Sequence, residues 1–332
     1  MKISFELDEL NSGRAENFFT LYDFENIVGD TTEKYYLGTK TIPRCCRFCN
    51  KKEPIVTFKK DAHVIPQFMG NKKLLSYFEC DACNELFSQY ESSFANYIGA
   101  SRTISQIPGQ GKHKVPKFRD KKTGFTIELG EKSLKMGFVE GHDEVSFDEK
   151  NNKLFIKTVR PSYVPLHIAK VILKIGICLL KEEDLEDYKS TISFIFADKY
   201  GNGIEGNELL KVKGYFLPGP PKYPKPFVQL YTKKKTVDEL IPSKHVVVYY
   251  GNYVFQMCLP FCKTDNHLNG QQISFPLFPL LVDNSYFDTY GPYQKFNLDT
   301  TSNEKKVNEP HSITFSYKKL IKPELLEDNK AD

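Results

Sequence analysis

Tryptophan is absent from this chain, so its aromatic content rests on 26 Phe and 19 Tyr. These are spaced mostly as core residues and do not cluster into a base-stacking platform. A global charge field is also missing. The 46 Lys and Arg face 42 Asp and Glu, a formal net charge of +4, so any case for a polyanionic partner must rest on local clusters. Long apolar runs are missing too. The longest, near 171–180, is interrupted by Lys174 and is far too short to cross a bilayer. The opening MKISFELDEL alternates and is acidic, with no apolar core of signal-peptide length. Internal repeats are lacking. The expectation is a soluble cytoplasmic protein with no membrane partner, and 332 residues allow two domains or one large domain with a small insert.

Cysteine, by contrast, is present and patterned. Four of the eight cysteines form two CxxC knuckles, Cys46/Cys49 and Cys80/Cys83. In a reducing compartment that spacing favours a metal over disulfides, and four thiolates make a closed tetrahedral zinc site of the structural kind. Such a site would hold a small ββα unit whose own core is too small to fold alone. The alternative is a bare zinc ribbon used only for binding. Cys45 neighbours the first knuckle but fits the CxxC spacing less well. Cys178, Cys258 and Cys262 read as small buried hydrophobes.

Thirty residues separate Cys49 from Cys80, so something is built between the knuckles. The stretch 54–58 (PIVTF) reads as a strand. His63 lies in Asp61-Ala62-His63-Val64-Ile65-Pro66, at a strand end closed by the proline. From Asp81 the apolar positions Leu86, Phe87, Tyr90, Phe94 and Tyr97 recur at helical steps, with Gly99 as a stop. The order is knuckle, strand, strand, knuckle, helix. A histidine next to apolar residues is most often structural. This one sits inside the stapled unit, close to Asp61 and ahead of Asn84. A neutral imidazole can deprotonate water, and oxygen donors such as Asn84 and a nearby acid, Asp61 or Glu91, suit Mg²⁺ or Mn²⁺.

CxxC, then AHVIP, then CDACN resembles the HNH, or ββα-metal, nuclease superfamily, and is especially similar to its zinc-stapled branch, that of phage endonuclease VII. The resemblance covers about 45–98. It implies His63 as the general base, Asn84 as a ligand of the catalytic Mg²⁺ or Mn²⁺, and a structural zinc on Cys46, Cys49, Cys80 and Cys83. Asn71, in Gly70-Asn71, matches the middle asparagine that orients the histidine loop in the family. One position departs from the pattern. The family usually has Asp, Glu or His directly before the catalytic histidine, as a metal ligand, and here that position is Ala62. Asp61 or Glu91 would then have to complete the site. Otherwise the metal is held mostly by water and phosphate, or the finger only binds.

The rest of the chain divides by composition. Residues 1–44 form an arm with strand character at 2–7 and 33–39, expected to pack on the finger or pair with a later strand. Residues 99–124 form a basic linker in which Arg102, Lys112, Lys114, Lys117, Arg119, Lys121 and Lys122 face one acid, Asp120. They are candidates for phosphate contacts, with a solvated linker as the alternative. Arg44 and Arg47 are weaker candidates. Residues 125–332 read as a mixed, strand-rich domain with strands at 125–129, 145–147 and 154–156. It has a strongly apolar helix at 165–188 and further strands at 192–196, 227–231, 246–250 and 253–259. Asn151-Asn152 and Gly251-Asn252 mark hairpins, and the proline-rich 217–226 a stiff connector. The fold class is therefore α+β, a zinc-stapled finger plus a larger domain.

The resemblance implies a metal-dependent endonuclease acting on DNA, with RNA as the other candidate substrate, in a bacterial defence setting. The C-terminal part would supply recognition, homo-oligomerisation or control by a partner. Two other readings stay open, a non-catalytic zinc-finger nucleic-acid binder and a ligand-triggered effector nuclease.

Overall fold

The computed structural model describes residues 9–109, 115–130, 133–137, 144–197, 207–237 and 240–317. The strand expected at 2–7, the C-terminal tail, Lys112 and Lys114 lie outside the described residues.

The described chain opens with a helix, α1 (Glu9–Leu21), running directly into a strand, β1 (Tyr22–Gly29). Neither has a clean period in the sequence. Both are fixed from outside, by the stack of Phe18 on Tyr22 and the edge contacts of Phe18 with Tyr231 and Phe278. Next come β2 (Tyr35–Leu37), β3 (Ala62–His63), β4 (Leu74–Ser76) and the finger helix α2 (Asp81–Ile98). Gly99 ends α2 at φ 58°, a conformation that glycine adopts without a Cβ penalty. A short helix α3 (Ser101–Ile104) leads to β5 (Phe118–Arg119), β6 (Thr126–Leu129), β7 (Leu134–Gly137), β8 (Val145–Asp148) and β9 (Lys153–Val159). Two helices follow, α4 (Pro165–Leu179) and α5 (Lys189–Phe196). The chain then forms β10 (Lys211–Phe216), β11 (Tyr223–Lys233), β12 (Lys244–Gly251), β13 (Tyr253–Cys258), α6 (Asn284–Tyr290), β14 (Gln294–Asp299) and β15 (Pro310–Ser316).

The fold is α+β. Its largest sheet has six antiparallel strands in the order β1-β11-β12-β13-β10-β14. Three small sheets surround it: β15-β9-β8, β5-β6-β7, and the finger's own β2-β4-β3, in which β2 runs parallel to β4. Residues 1–44 thus contribute to two bodies, β1 to the large sheet and β2 to the finger.

The centre of the molecule is α4. Every residue of it except His167 is buried, because α2 covers one side and α5, β1 and β12 cover the others. Gly176 permits the closest approach, since a Cβ there would lie 2.5 Å from Leu259 and 2.6 Å from Val246. One apolar cluster runs from Cys46, Phe48 and Val64 through Phe87 and Phe94 to Ile172, Ile175, Val246 and Phe255. Burying each such aliphatic or aromatic side chain contributes about 1.5–3 kcal/mol, so finger and sheet share the burial that stabilises both.

Several expectations need correcting. The stretch 54–58 is not a strand. It wraps the start of α2 instead, where the Asp81 carboxylate accepts from the backbone N–H groups of Lys59 at 3.0 Å and Lys60 at 2.8 Å. The finger's two strands are β3 and β4. The segment 192–196 is helical within α5, since a short apolar run has no period that separates strand from helix and packing on α4 decides. The connector at 217–226 ends early, because β11 begins at Tyr223 and a register shift between Tyr223 and Phe227 accommodates its prolines. The polar region after Asp299 still supplies β15.

Candidate active site

The two knuckles bring Cys46, Cys49, Cys80 and Cys83 together, with all four sulfurs within 4.8 Å of one another. Cys46 Sγ lies 3.7 Å from Cys83 Sγ, and Cys49 Sγ 3.8 Å from Cys80 Sγ. A zinc ion about 2.3 Å from four tetrahedral sulfurs sets them about 3.8 Å apart. Donor set and spacing therefore fit a closed structural zinc. Cys45 stays outside, its thiol near the Asn50 side chain, and Cys178, Cys258 and Cys262 are buried and free.

His63 stands on β3. The register aligns Tyr36, Leu75 and His63 in one row across the finger sheet, and Leu37, Ser76 and Ala62 in the next. Paired residues share a face and successive residues alternate. Tyr36, Asp61 and His63 thus lie on one face. Ala62 lies on the other, buried, with Leu37 packed into the shared core. Ala62 is small because that face is closed against the body of the protein.

The imidazole is held at two points. It makes a hydrogen bond with the Asp61 backbone, and its Nε2 lies 2.9 Å from the Gln67 amide nitrogen. With one ring nitrogen donating to the Asp61 carbonyl, Nε2 carries the lone pair and accepts from Gln67. Burial, then the nearby Lys174 charge, brings the His63 pKa down to about 4, so the ring is neutral at pH 7. Asn71 stitches the loop between β3 and β4. Its amide donates to the carbonyls of Ile65 at 2.6 Å and Leu74 at 2.9 Å, and its Oδ1 accepts from the Leu74 N–H at 2.9 Å. It is fully buried and shapes the histidine loop from within.

Behind the strand lies a buried charge group invisible in any motif. The Lys174 ammonium, from α4, donates to the His63 carbonyl. It pairs with Glu79 at 3.3 Å and Glu91 at 3.8 Å. Lys174 and Glu79 are each 1% exposed. Burial opposes the lysine's charge, but the two carboxylates outweigh it and hold its pKa above the ordinary value. Burial likewise pushes Glu79 up to about 7 against the pull of Lys174.

The expected oxygen donors for a catalytic divalent ion are distributed unhelpfully. Asp61 is bound by Lys34 Nζ at 2.8 Å and Tyr36 Oη at 2.9 Å. Glu91 faces Lys174 and Ala62 offers no donor. Asn84, half-buried in the first turn of α2 directly after Cys83, is the one member of the set whose side chain has neither a hydrogen bond nor an ion pair among the described residues. These side chains do not by themselves form a site for a protein-held divalent ion.

The basic candidates also divide. Lys117 is paired with Glu128 at 2.9 Å. Arg102 turns inward over Phe68, 5.3 Å from the ring. Arg119, Lys121 and Lys122 are exposed. Arg47 is structural. It stacks 3.4 Å over Phe78 and caps the end of α4, donating to the carbonyls of Ile177 at 3.0 Å and Leu180 at 3.1 Å. Of the residues that escaped sequence reasoning, Lys174 left a trace as the charge breaking the longest apolar run. Gln67 and Glu79 left none.

Residues 46–96 match the model of the HNH endonuclease family, and the strand–strand–helix unit within that match holds a cysteine cluster that could bind a zinc ion. No curated protein and no solved structure matches the chain significantly. No helix among the described residues is long and apolar enough to cross a membrane.

Two outcomes follow for stability. Cys80→Ser will lower bound zinc from one equivalent to near zero and unfold the finger, read by metal analysis and near-UV circular dichroism. Lys174→Met removes the cation that holds the Glu79 and Glu91 pKa values down, so the buried carboxyls take up protons on folding. It will cost about 3–5 kcal/mol at pH 7 in urea unfolding, and less at pH 5, nearer the ordinary glutamate value, where that uptake costs less.

Proposed function

We propose that this protein hydrolyses phosphodiester bonds of DNA, with His63 as the general base. The observation that supports this most is the state of His63. It is a neutral imidazole whose Nε2 stands 2.9 Å from the Gln67 amide, on the partly open face of a finger with a cysteine cluster suited to zinc, and the finger's sequence matches the HNH endonucleases.

In this reading Gln67 swings aside as substrate enters, and Nε2 accepts a proton from a water molecule. The water oxygen forms a bond to phosphorus, the ester P–O bond breaks, and the departing oxygen is protonated from solvent. The imidazole loses its proton to solvent afterwards. The Asp61 carbonyl and the Lys174 contact to the His63 carbonyl orient the ring, and Asn71 keeps the loop in shape. Asn84 is the side chain left to help hold Mg²⁺ or Mn²⁺, the ions that oxygen donors suit. The eight free thiols fit work in a reducing, cytoplasmic compartment. A role in defence against foreign DNA, with the C-terminal sheet supplying recognition or control, accords with the family resemblance.

Supercoiled plasmid incubated with the full chain, across Mg²⁺ and Mn²⁺, tests the proposal. Wild type is expected to nick or linearise it, and His63→Ala to slow cleavage on the order of 100- to 10,000-fold while retaining zinc. Equal behaviour of the two proteins in every metal would leave the finger as a binding module.

A further inference from the structure

We propose that the His63 face of the finger sheet, together with the first knuckle, is a seat for the DNA backbone, in which Lys34, Lys40, Arg44 and Lys60 contact phosphates leading up to His63. The proposal rests on the nuclease reading and names where its substrate lies.

Four observations carry it. Between residues 34 and 60 the chain places Lys34, Lys40, Arg44, Arg47, Lys51, Lys52, Lys59 and Lys60 against a single acid, Glu53. That local excess is comparable to the linker's after α2, and it lies inside the matched finger or just before it. Second, the register puts Tyr36 and Asp61, two residues of the recess described next, on the His63 side. Tyr36 shares a row with His63, and Asp61 is two residues away on the same strand face, about 7 Å along an extended chain.

Third, the surface there is concave and built. A recess of about 220 Å³ is lined by Tyr36, Lys40, Arg44, Phe58, Lys60 and Tyr77, with Asp61 and Ser76 completing it. Tyr36 and Tyr77 stack at 4.5 Å, nearly parallel. Arg44 is fixed 4.2 Å over the Phe58 ring and donates to the Phe58 carbonyl at 3.0 Å. Its Nε is buried with no hydrogen-bond partner. Asp61 offsets one of these charges, that of Lys34, at 2.8 Å. It anchors Lys34 and Tyr36 from within, so that the cations are arrayed in advance. Lys40 has no ion pair among the described residues, and Lys60 has only a 3.8 Å contact with Glu85. Both are therefore available to a polyanion.

Fourth, in the competing linker after α2 two of the five described cations are withdrawn, Lys117 being engaged by Glu128 and Arg102 turned inward, which leaves Arg119, Lys121 and Lys122 exposed.

The test is fluorescence anisotropy with a labelled mixed-sequence duplex, using the full zinc-loaded chain, alongside plasmid cleavage. Each releasing contact contributes about 0.9 to the slope of log affinity against log salt. Lys40→Glu/Lys60→Glu should weaken binding about tenfold or more and flatten that slope by about 2. Lys40→Gln/Lys60→Gln should show the same direction with a smaller loss, and serves if the reversed pair folds poorly. Arg119→Glu/Lys121→Glu should stay within about twofold of wild type. Unchanged binding in both Lys40/Lys60 variants, or a greater loss in Arg119→Glu/Lys121→Glu, overturns the seat while cleavage by wild type keeps the nuclease reading intact. A wild type that neither binds nor cuts duplex overturns both.

Discussion

One buried ammonium ties the chemistry of this protein to its architecture. Lys174 reaches from the central helix α4 to the backbone of His63, and its charge is shared by Glu79, just ahead of the second knuckle, and Glu91, on α2. A lysine this deeply buried is tolerated only when paired and hydrogen-bonded. Here all of its partners belong to the finger. Strand, knuckle and helix of the finger are therefore set against one another by a group from outside it. The same charge helps keep the His63 ring neutral. A contact that fixes the geometry thus also tunes the electrostatics of the candidate base.

The cysteine cluster and packing divide the remaining work. The four cysteines join the two knuckles within the apolar core, beside Phe48 and Phe87. The finger's helix loses its separate identity in a core shared with α4 and the six-stranded sheet. This explains Ala62. On a free-standing finger that position can carry a ligand. Here its face is pressed into the protein interior, and a carboxylate would be buried there with Lys174 already committed to Glu79 and Glu91. The outer face keeps the groups able to meet a substrate, with His63, Tyr36 and Asp61 side by side.

Much of this was readable in the sequence, for physical reasons that differ by element. The zinc set was readable because metal chemistry demands fixed residue types at tight spacing. α2 and α4 were readable from long helical periodicity, and the β12–β13 hairpin from Gly251-Asn252. Asn71 was readable only through family resemblance, and the structure gives its reason in four hydrogen bonds within the loop. What stayed hidden was set by partners distant in the chain. β1 is a strand because β11 lies beside it, 192–196 is helical because α4 covers it, and 54–58 is turned because Thr57 and the backbone just after it, at Lys59 and Lys60, bind Asp81. Glu91 was read as a candidate metal ligand, and the side chain facing it, Lys174, is 83 positions further along (174 − 91).

His63 is the proposed base, held neutral by burial and by a neighbouring cation. The most direct measurement is the pH dependence of kcat/KM for duplex cleavage. A base must be deprotonated to act, so the rate should be flat through neutral pH and fall only as pH drops toward about 4. An acid limb near the ordinary histidine value, about 6.5, would contradict the described environment of His63. A limb that persisted unchanged in His63→Ala would contradict its role as the base.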